Sequence, residues 1–164
     1  AAPRTGLRAS ESGGAEKTSA TRFGGGAGQR PPAVEEGADE IDMVIDIGAL
    51  IEGDYKKVSN DISEIVRACP GKYVKCIIET CYLTKDQIID ASILTVYSGA
   101  DNVKTSTGFG KEGAKAEDVK LMRQVVGPKF GVKAAGGIRT KEDAQKMIEA
   151  GASRIGASRE TIFQ

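Results

Sequence analysis

Four charged side chains sit at equivalent points of four short strand-like runs: Asp42 in IDMVIDI, Lys75 in YVKCIIE, Lys104 in NVKTST and Lys133 in GVKAA. The 164-residue chain contains no histidine. Ser-His-Asp triads, Cys-His pairs, His-ligated catalytic zinc and imidazole proton shuttles are thereby excluded, and chemistry falls to Lys, Asp, Glu, Tyr or Cys. Three lysines gathered beside the single carboxylate of Asp42, with Glu79 further along its own run, leave excess positive charge in a confined space. The usual relief is a shifted pKa, so at least one amine should deprotonate easily. A neutral lysine amine is the nucleophile that forms a Schiff base with a carbonyl compound, and a neighbouring ammonium is one way to produce it. The competing reading is that these lysines are solvated strand ends on an open sheet.

A second constellation is rich in glycine. Thr107-Gly108-Phe109-Gly110 follows the run at 102–107, Gly136-Gly137 follows 131–135, and Gly156-Ala157-Ser158 ends the run at 154–157. Each alone is an ordinary turn. Three at successive strand ends favour backbone N–H groups brought close to a phosphate, a recurrent feature of barrel loops.

These residues need elements to hold them. Strand-like runs at 41–47, 73–79, 102–107, 131–135 and 154–157 alternate with helix-like segments at roughly 55–68, 85–98, 116–126 and 141–150. Thr84 with Gln87 and Thr140 with Asp143 fit capping boxes at two helix starts. Strand starts fall roughly 23 to 32 residues apart, the size of one βα unit, and repeated βα units mean a parallel sheet. Within the runs, Ile41, Met43, Val74, Cys76, Val103 and Val132 share one parity while Asp42, Lys75, Lys104 and Lys133 take the other. A doubly wound sheet, with helices on both faces, would be apolar on both sides. A barrel has helices outside only and tolerates a polar interior near its active mouth. Five units occupy about 130 residues against about 250 for a closed eight-unit barrel, so the expectation is an incomplete (β/α)8 TIM barrel.

Lys plus Arg number 23, as do Asp plus Glu, so no global basic field exists to attract nucleic acid or an anionic membrane. No apolar run approaches the roughly 20 residues of a membrane span. Cys69, Cys76 and Cys81 form no C-x-x-C pair, which argues against a disulfide framework or zinc ribbon and for a reducing, cytoplasmic setting. Residues 1–32 hold Leu7 and Phe23 as their only large apolar side chains and read as a disordered, low-complexity segment. Residues 33–164 form the folded unit.

The stretches GADEIDMVIDIGAL (37–50), VKCIIETCYLT (74–84), GADNVKTSTGFG (99–110), GVKAAGGIRT (131–140) and AGASRIGAS (150–158) closely resemble bacterial deoxyribose-phosphate aldolases, class I lyases on a (β/α)8 barrel. The resemblance covers about three quarters of the chain and none of residues 1–32. It implies reversible cleavage of 2-deoxy-D-ribose 5-phosphate to acetaldehyde and D-glyceraldehyde 3-phosphate, with neither metal nor other cofactor. By the same resemblance Lys104 forms the Schiff base, Lys133 lowers its pKa, Asp42 takes part in a proton relay and Lys75 lines the site. Thr107, Gly108, Gly136, Gly137, Gly156 and Ser158 match positions that hold the substrate phosphate. Tyr55, Tyr73, Tyr82 and Tyr97 fall on none of these site positions and are assigned packing roles.

The family's first three strands have no counterpart here, and an open remnant exposes sheet edges that invite a homodimer or other association. The expected partner is a phosphosugar, with no nucleic acid and no membrane. The alternatives to an aldolase are a catalytically inactive phosphosugar-binding module and a half-barrel assembly fragment.

Overall fold

The computed structural model describes residues 18–21 and 32–157. The elements run β1 (Thr18–Thr21), α1 (Pro32–Glu35), β2 (Glu40–Val44), α2 (Ile47–Glu52), α3 (Tyr55–Ala68), β3 (Tyr73–Ile77), a 3-10 turn (Thr80–Tyr82), α4 (Lys85–Tyr97), β4 (Asn102–Lys104), α5 (Ala116–Val126), β5 (Gly131–Ala135), α6 (Lys141–Glu149) and β6 (Arg154–Gly156). All six strands are parallel and pair in chain order, β1 to β6.

The alternation expected from the sequence divides the sheet as predicted. Ile41, Met43, Val74, Cys76, Val103, Val132, Ala134 and Ile155 join the hydrophobic core, packed with Val58, Ile62, Ile65, Ile88, Val119 and Met122 from the helices. The opposite face carries Asp42, Lys75, Lys104 and Lys133. Both capping boxes form: Thr84 accepts from the Gln87 N–H and Thr140 from the Asp143 N–H, with the Gln87 and Asp143 side chains returning to the cap N–H groups. Helices α3 and α5 span the predicted residues.

The sheet is rolled. Arg154 on β6 meets Glu40 on β2 at 2.7 and 2.8 Å. Four interstrand steps of roughly 4.8 Å amount to about 19 Å on a flat sheet, too far for the two side chains to bridge. Only a concave face brings them together, as in the wall of a barrel.

Several boundaries differ from expectation; the run at 102–107, for one, ends as strand at Lys104. The run at 41–47 ends as strand at Val44, because the Asp46 carboxylate accepts from the Ala49 N–H at 2.9 Å and opens α2 as its N-cap. The run at 73–79 ends at Ile77, since Glu79 takes a left-handed backbone (φ 42°) that starts the 3-10 turn. Residues 18–21 fall inside the segment read as disordered, yet form β1 and make the sheet six-stranded. Backbone pairing with β2 requires no apolar side chains, so composition alone misses it. The rest of residues 1–31 lies outside the described residues, as does Ser158.

Candidate active site

The concave face holds a chain of alternating charge. Arg154 binds both Glu40 oxygens, Glu40 Oε2 lies 2.6 Å from Lys75 Nζ, and Lys75 Nζ lies 2.6 Å from Asp42 Oδ1. Asp42 Oδ2 then meets Lys104 Nζ at 2.7 Å. Lys75 is fully buried, with 0% of its surface exposed, which its two carboxylate partners make tolerable. Tyr73 supports the start of the chain by lying 4.3 Å beneath the Arg154 guanidinium, so this tyrosine does more than pack.

Strand register aligns the charged residues. Asp42 and Lys75 are Cα partners across β2 and β3, and Lys104 and Lys133 across β4 and β5. Burial pushes the Asp42 carboxyl up, but the Lys104 and Lys75 ammonium groups more than offset it and hold the carboxyl below its ordinary value. Glu40 behaves likewise: burial raises it, and Lys75 with Arg154 bring it below its usual range.

Lys133 differs from its neighbours. It is 6% exposed and, among the described residues, makes none of the close ion pairs that Lys75 and Lys104 make. Burial pulls its amine down to about 8; Asp42 opposes that shift, and the Lys104 and Lys75 charges add to it. The amine that burial makes easier to deprotonate is therefore Lys133, cast in the sequence reading as the charged neighbour, while Lys104 is ion-paired with Asp42.

The glycine loops converge at the same ends of the strands. A Cβ built on Gly136 would lie 3.7 Å from the Gly108 Cα, and the Ala114 N–H donates to the Gly136 carbonyl at 3.0 Å. Gly137 directly follows. Gly156 pairs with Ala135, the residue before Gly136, and a Cβ there would come within 3.1 Å of the Ala135 Cβ and 3.3 Å of the Lys133 Cε, so its missing side chain also makes room for that lysine. Thr107 donates both its N–H and its hydroxyl to the Glu79 carboxylate.

Sequence reasoning missed Glu40, Arg154 and the Glu79–Thr107 contact as parts of the site. Glu40 shares the parity of Asp42, and starting the strand one residue earlier would have found it. Arg154 opens its run and lies within AGASRIGAS, but the sequence reading takes that stretch for its glycine and serine and gives the arginine no role. The Cys76 thiol, pushed up to about 12 by burial, and Cys69, also buried, lie in the hydrophobic core. Among the described residues no helix is long and apolar enough to cross a membrane.

A parallel β/α sheet rolled around a lysine-lined concave face, with glycine loops at the carboxyl ends of its strands, defines part of a (β/α)8 barrel with a site at its usual mouth. Residues 30–159 match the DeoC/LacD family aldolases, and the chain belongs to that family. It is 62% identical over 128 residues to the deoxyribose-phosphate aldolase of Thermococcus kodakarensis, covering 77% of this chain and 57% of the relative. Two solved structures share the fold. An aldolase titled QR15 superposes with a TM-score of 0.74 at 43% identity, covering 77% of this chain and 57% of that one. The tetrameric deoxyribose phosphate aldolase of Aeropyrum pernix gives 0.75 at 30% identity, covering 90% of this chain and 65% of that one. The chain thus spans about 57% of the length of the curated relatives it matches.

Proposed function

We propose that the chain carries the catalytic side of a deoxyribose-phosphate aldolase, with Lys104 as the nucleophile, Lys133 as the base that frees it, and Asp42 as the proton relay. The observation that carries this reading is the lateral pairing of Lys104 with Lys133 in register, one amine bound to Asp42 and the other lowered by burial to about 8. Neutral Lys133 takes a proton from the Lys104 ammonium. The freed Lys104 amine attacks the C1 aldehyde of open-chain 2-deoxy-D-ribose 5-phosphate, and loss of water gives an iminium. Removal of the proton from the C3 hydroxyl, relayed through Asp42, breaks the C2–C3 bond. The bonding pair passes to the iminium as an enamine, and D-glyceraldehyde 3-phosphate leaves. Protonation of C2 and hydrolysis then release acetaldehyde and restore Lys104.

The electron sink is the lysine iminium itself, so the route calls for no cofactor. The backbone around Gly108, Gly136 and Gly137 is the candidate cradle for the substrate phosphate, with Ser158 a further candidate by resemblance. Cysteines without a C-x-x-C pair suit a cytoplasmic setting, and the tetrameric relative is in keeping with self-association through the exposed barrel edge. Treatment with acetaldehyde and sodium borohydride, followed by peptide mass mapping, tests the reading: a reduced adduct on Lys104 supports it. Phosphate binding with no lysine adduct favours a non-catalytic phosphosugar module instead.

A further inference from the structure

Glu79 has no part in the steps above, yet the fold goes to unusual lengths to position it. It is 4% exposed and adopts φ 42°, the only left-handed backbone outside glycine among the described residues. That conformation is strained for a residue with a side chain. The strain turns the carboxylate toward the loop following Lys104, where it accepts from the Thr107 hydroxyl, from the Thr107 N–H at 3.3 and 3.4 Å, and from Cys81 Sγ at 3.8 Å. The Thr107 oxygen in turn accepts from the Phe109 N–H at 3.0 Å. Gly110 closes over the carboxylate so tightly that a Cβ would come within 2.8 Å of Glu79 Oε1.

Thr107 therefore has no free donor for a ligand. Its N–H and O–H both go to Glu79, and a buried carboxylate at that point would repel an anion placed on the same donors. We infer that Glu79 is a positioning residue: acting through Thr107, it fixes the 107–110 loop so that the backbone at Gly108 faces Gly136 and completes a phosphate cradle. Thr107 is then part of the loop's frame instead of a ligand. This rests on the phosphosugar reading given above, and it assigns phosphate contact to the loop backbone.

The test is calorimetric titration of inorganic phosphate into the wild-type chain and its variants. Glu79→Gln presents an amide donor to a donor-rich loop, and Thr107→Val removes the hydroxyl. Each is expected to weaken phosphate binding about tenfold, and the double variant no more than either single, because both break one link. Thr107→Ser, which keeps both donors, should bind like wild type. Should Glu79→Gln fail to fold, the Val and Ser variants at 107 carry the test alone. Wild-type affinity in Thr107→Val, losses that multiply in the double variant, or no phosphate binding by the wild type each overturn the inference. Borohydride trapping on the same proteins separates the two readings. Glu79-dependent phosphate binding without any Lys104 adduct leaves the positioning role standing and removes the aldolase.

Discussion

Arg154 and Glu40, 114 residues apart in sequence, form an ion pair across the concave face of the sheet, with Nη1 of the arginine donating to both carboxylate oxygens. The pair anchors a relay in which each charge has an opposite neighbour, ending at Lys104. Its stabilising value lies in completeness, since removing one member strands the charges on either side. Glu40→Gln leaves Arg154 without its carboxylate and Lys75 with Asp42 alone. The expected loss is about 3 kcal/mol of unfolding free energy, read from urea midpoints. The double variant Glu40→Gln with Arg154→Gln should lose less than the two singles combined, because it removes both ends of the same pair. A midpoint unmoved by Glu40→Gln would show that the relay contributes nothing to the fold.

Lys133 makes stability depend on pH in a direction opposite to that of an ion-paired lysine. Its amine titrates at about 8 in the folded chain, against an ordinary value of 10.5. Below about 8 it is protonated whether folded or unfolded, so the full cost of burying the charge weighs on the fold. Between about 8 and 10.5 the folded chain has released a proton that the unfolded chain still holds, and stability rises with pH. Above that window the cost is gone. The gain is about 3 kcal/mol across the window. Lys133→Met should be more stable than wild type at pH 7 and should lose this rise, as urea titrations from pH 7 to pH 10 would reveal. Equal slopes in the two proteins would mean that burial does not lower the Lys133 amine.

The same amine governs the chemistry. With Lys133 absent, the minor neutral fraction of its amine that stands beside Lys104 at pH 7 is lost, so Lys133→Leu should trap acetaldehyde about tenfold more slowly at pH 7. The rate should recover toward wild type near pH 10, where solvent can take the proton. Lys104→Arg should form no adduct at any of these pH values, because a guanidinium stays protonated. Trapping by Lys133→Leu at the wild-type rate at pH 7 would remove Lys133 from the activation step.

What the sequence made legible, and what it hid, follows from the range of each signal. Period-two alternation located Asp42, Lys75, Lys104 and Lys133 on one face because burial on the other face enforces it at every step. Capping at Thr84 and Thr140 was visible because both partners lie within four residues. Asp46 kept the alternation yet left the strand, since a carboxylate that caps a helix looks the same in sequence as one that lines a barrel. The Arg154–Glu40 pair depends on curvature, which no local pattern encodes. The distribution of charge among the lysines was equally hidden: the sequence predicts crowding, but only packing decides that Asp42 goes to Lys104 and that Lys133 is left unpaired.

The helix caps offer a check on the scaffold apart from the site. Thr140 and Asp143 satisfy each other's backbone partners at the start of α6. Thr140→Ala should cost about 1 kcal/mol in unfolding free energy while leaving borohydride trapping unchanged, because it touches none of the concave-face residues. A loss of trapping in this variant would tie α6 to the site in a way its contacts do not suggest.

The glycine loops can be separated from general stability by comparing two substitutions of similar chemistry. A Cβ on Gly113 would stand 2.2 Å from the Gly136 carbonyl oxygen and 2.3 Å from its carbon, so Gly113→Ala must push the two loops apart and break the bond from Ala114 N–H. Gly127, at the C-terminus of α5, has open space around it but φ 79°, so Gly127→Ala adds strain far from the strand mouths. Both variants should lose stability, by about 1–3 kcal/mol for the clash and about 1 kcal/mol for the strained backbone. Only Gly113→Ala should also weaken phosphate binding, by tenfold or more, because it alone displaces Gly136 from Gly108. Equal phosphate affinity in the two variants, at matched folded fractions, would move the anion site away from these loops and leave the glycines as turns.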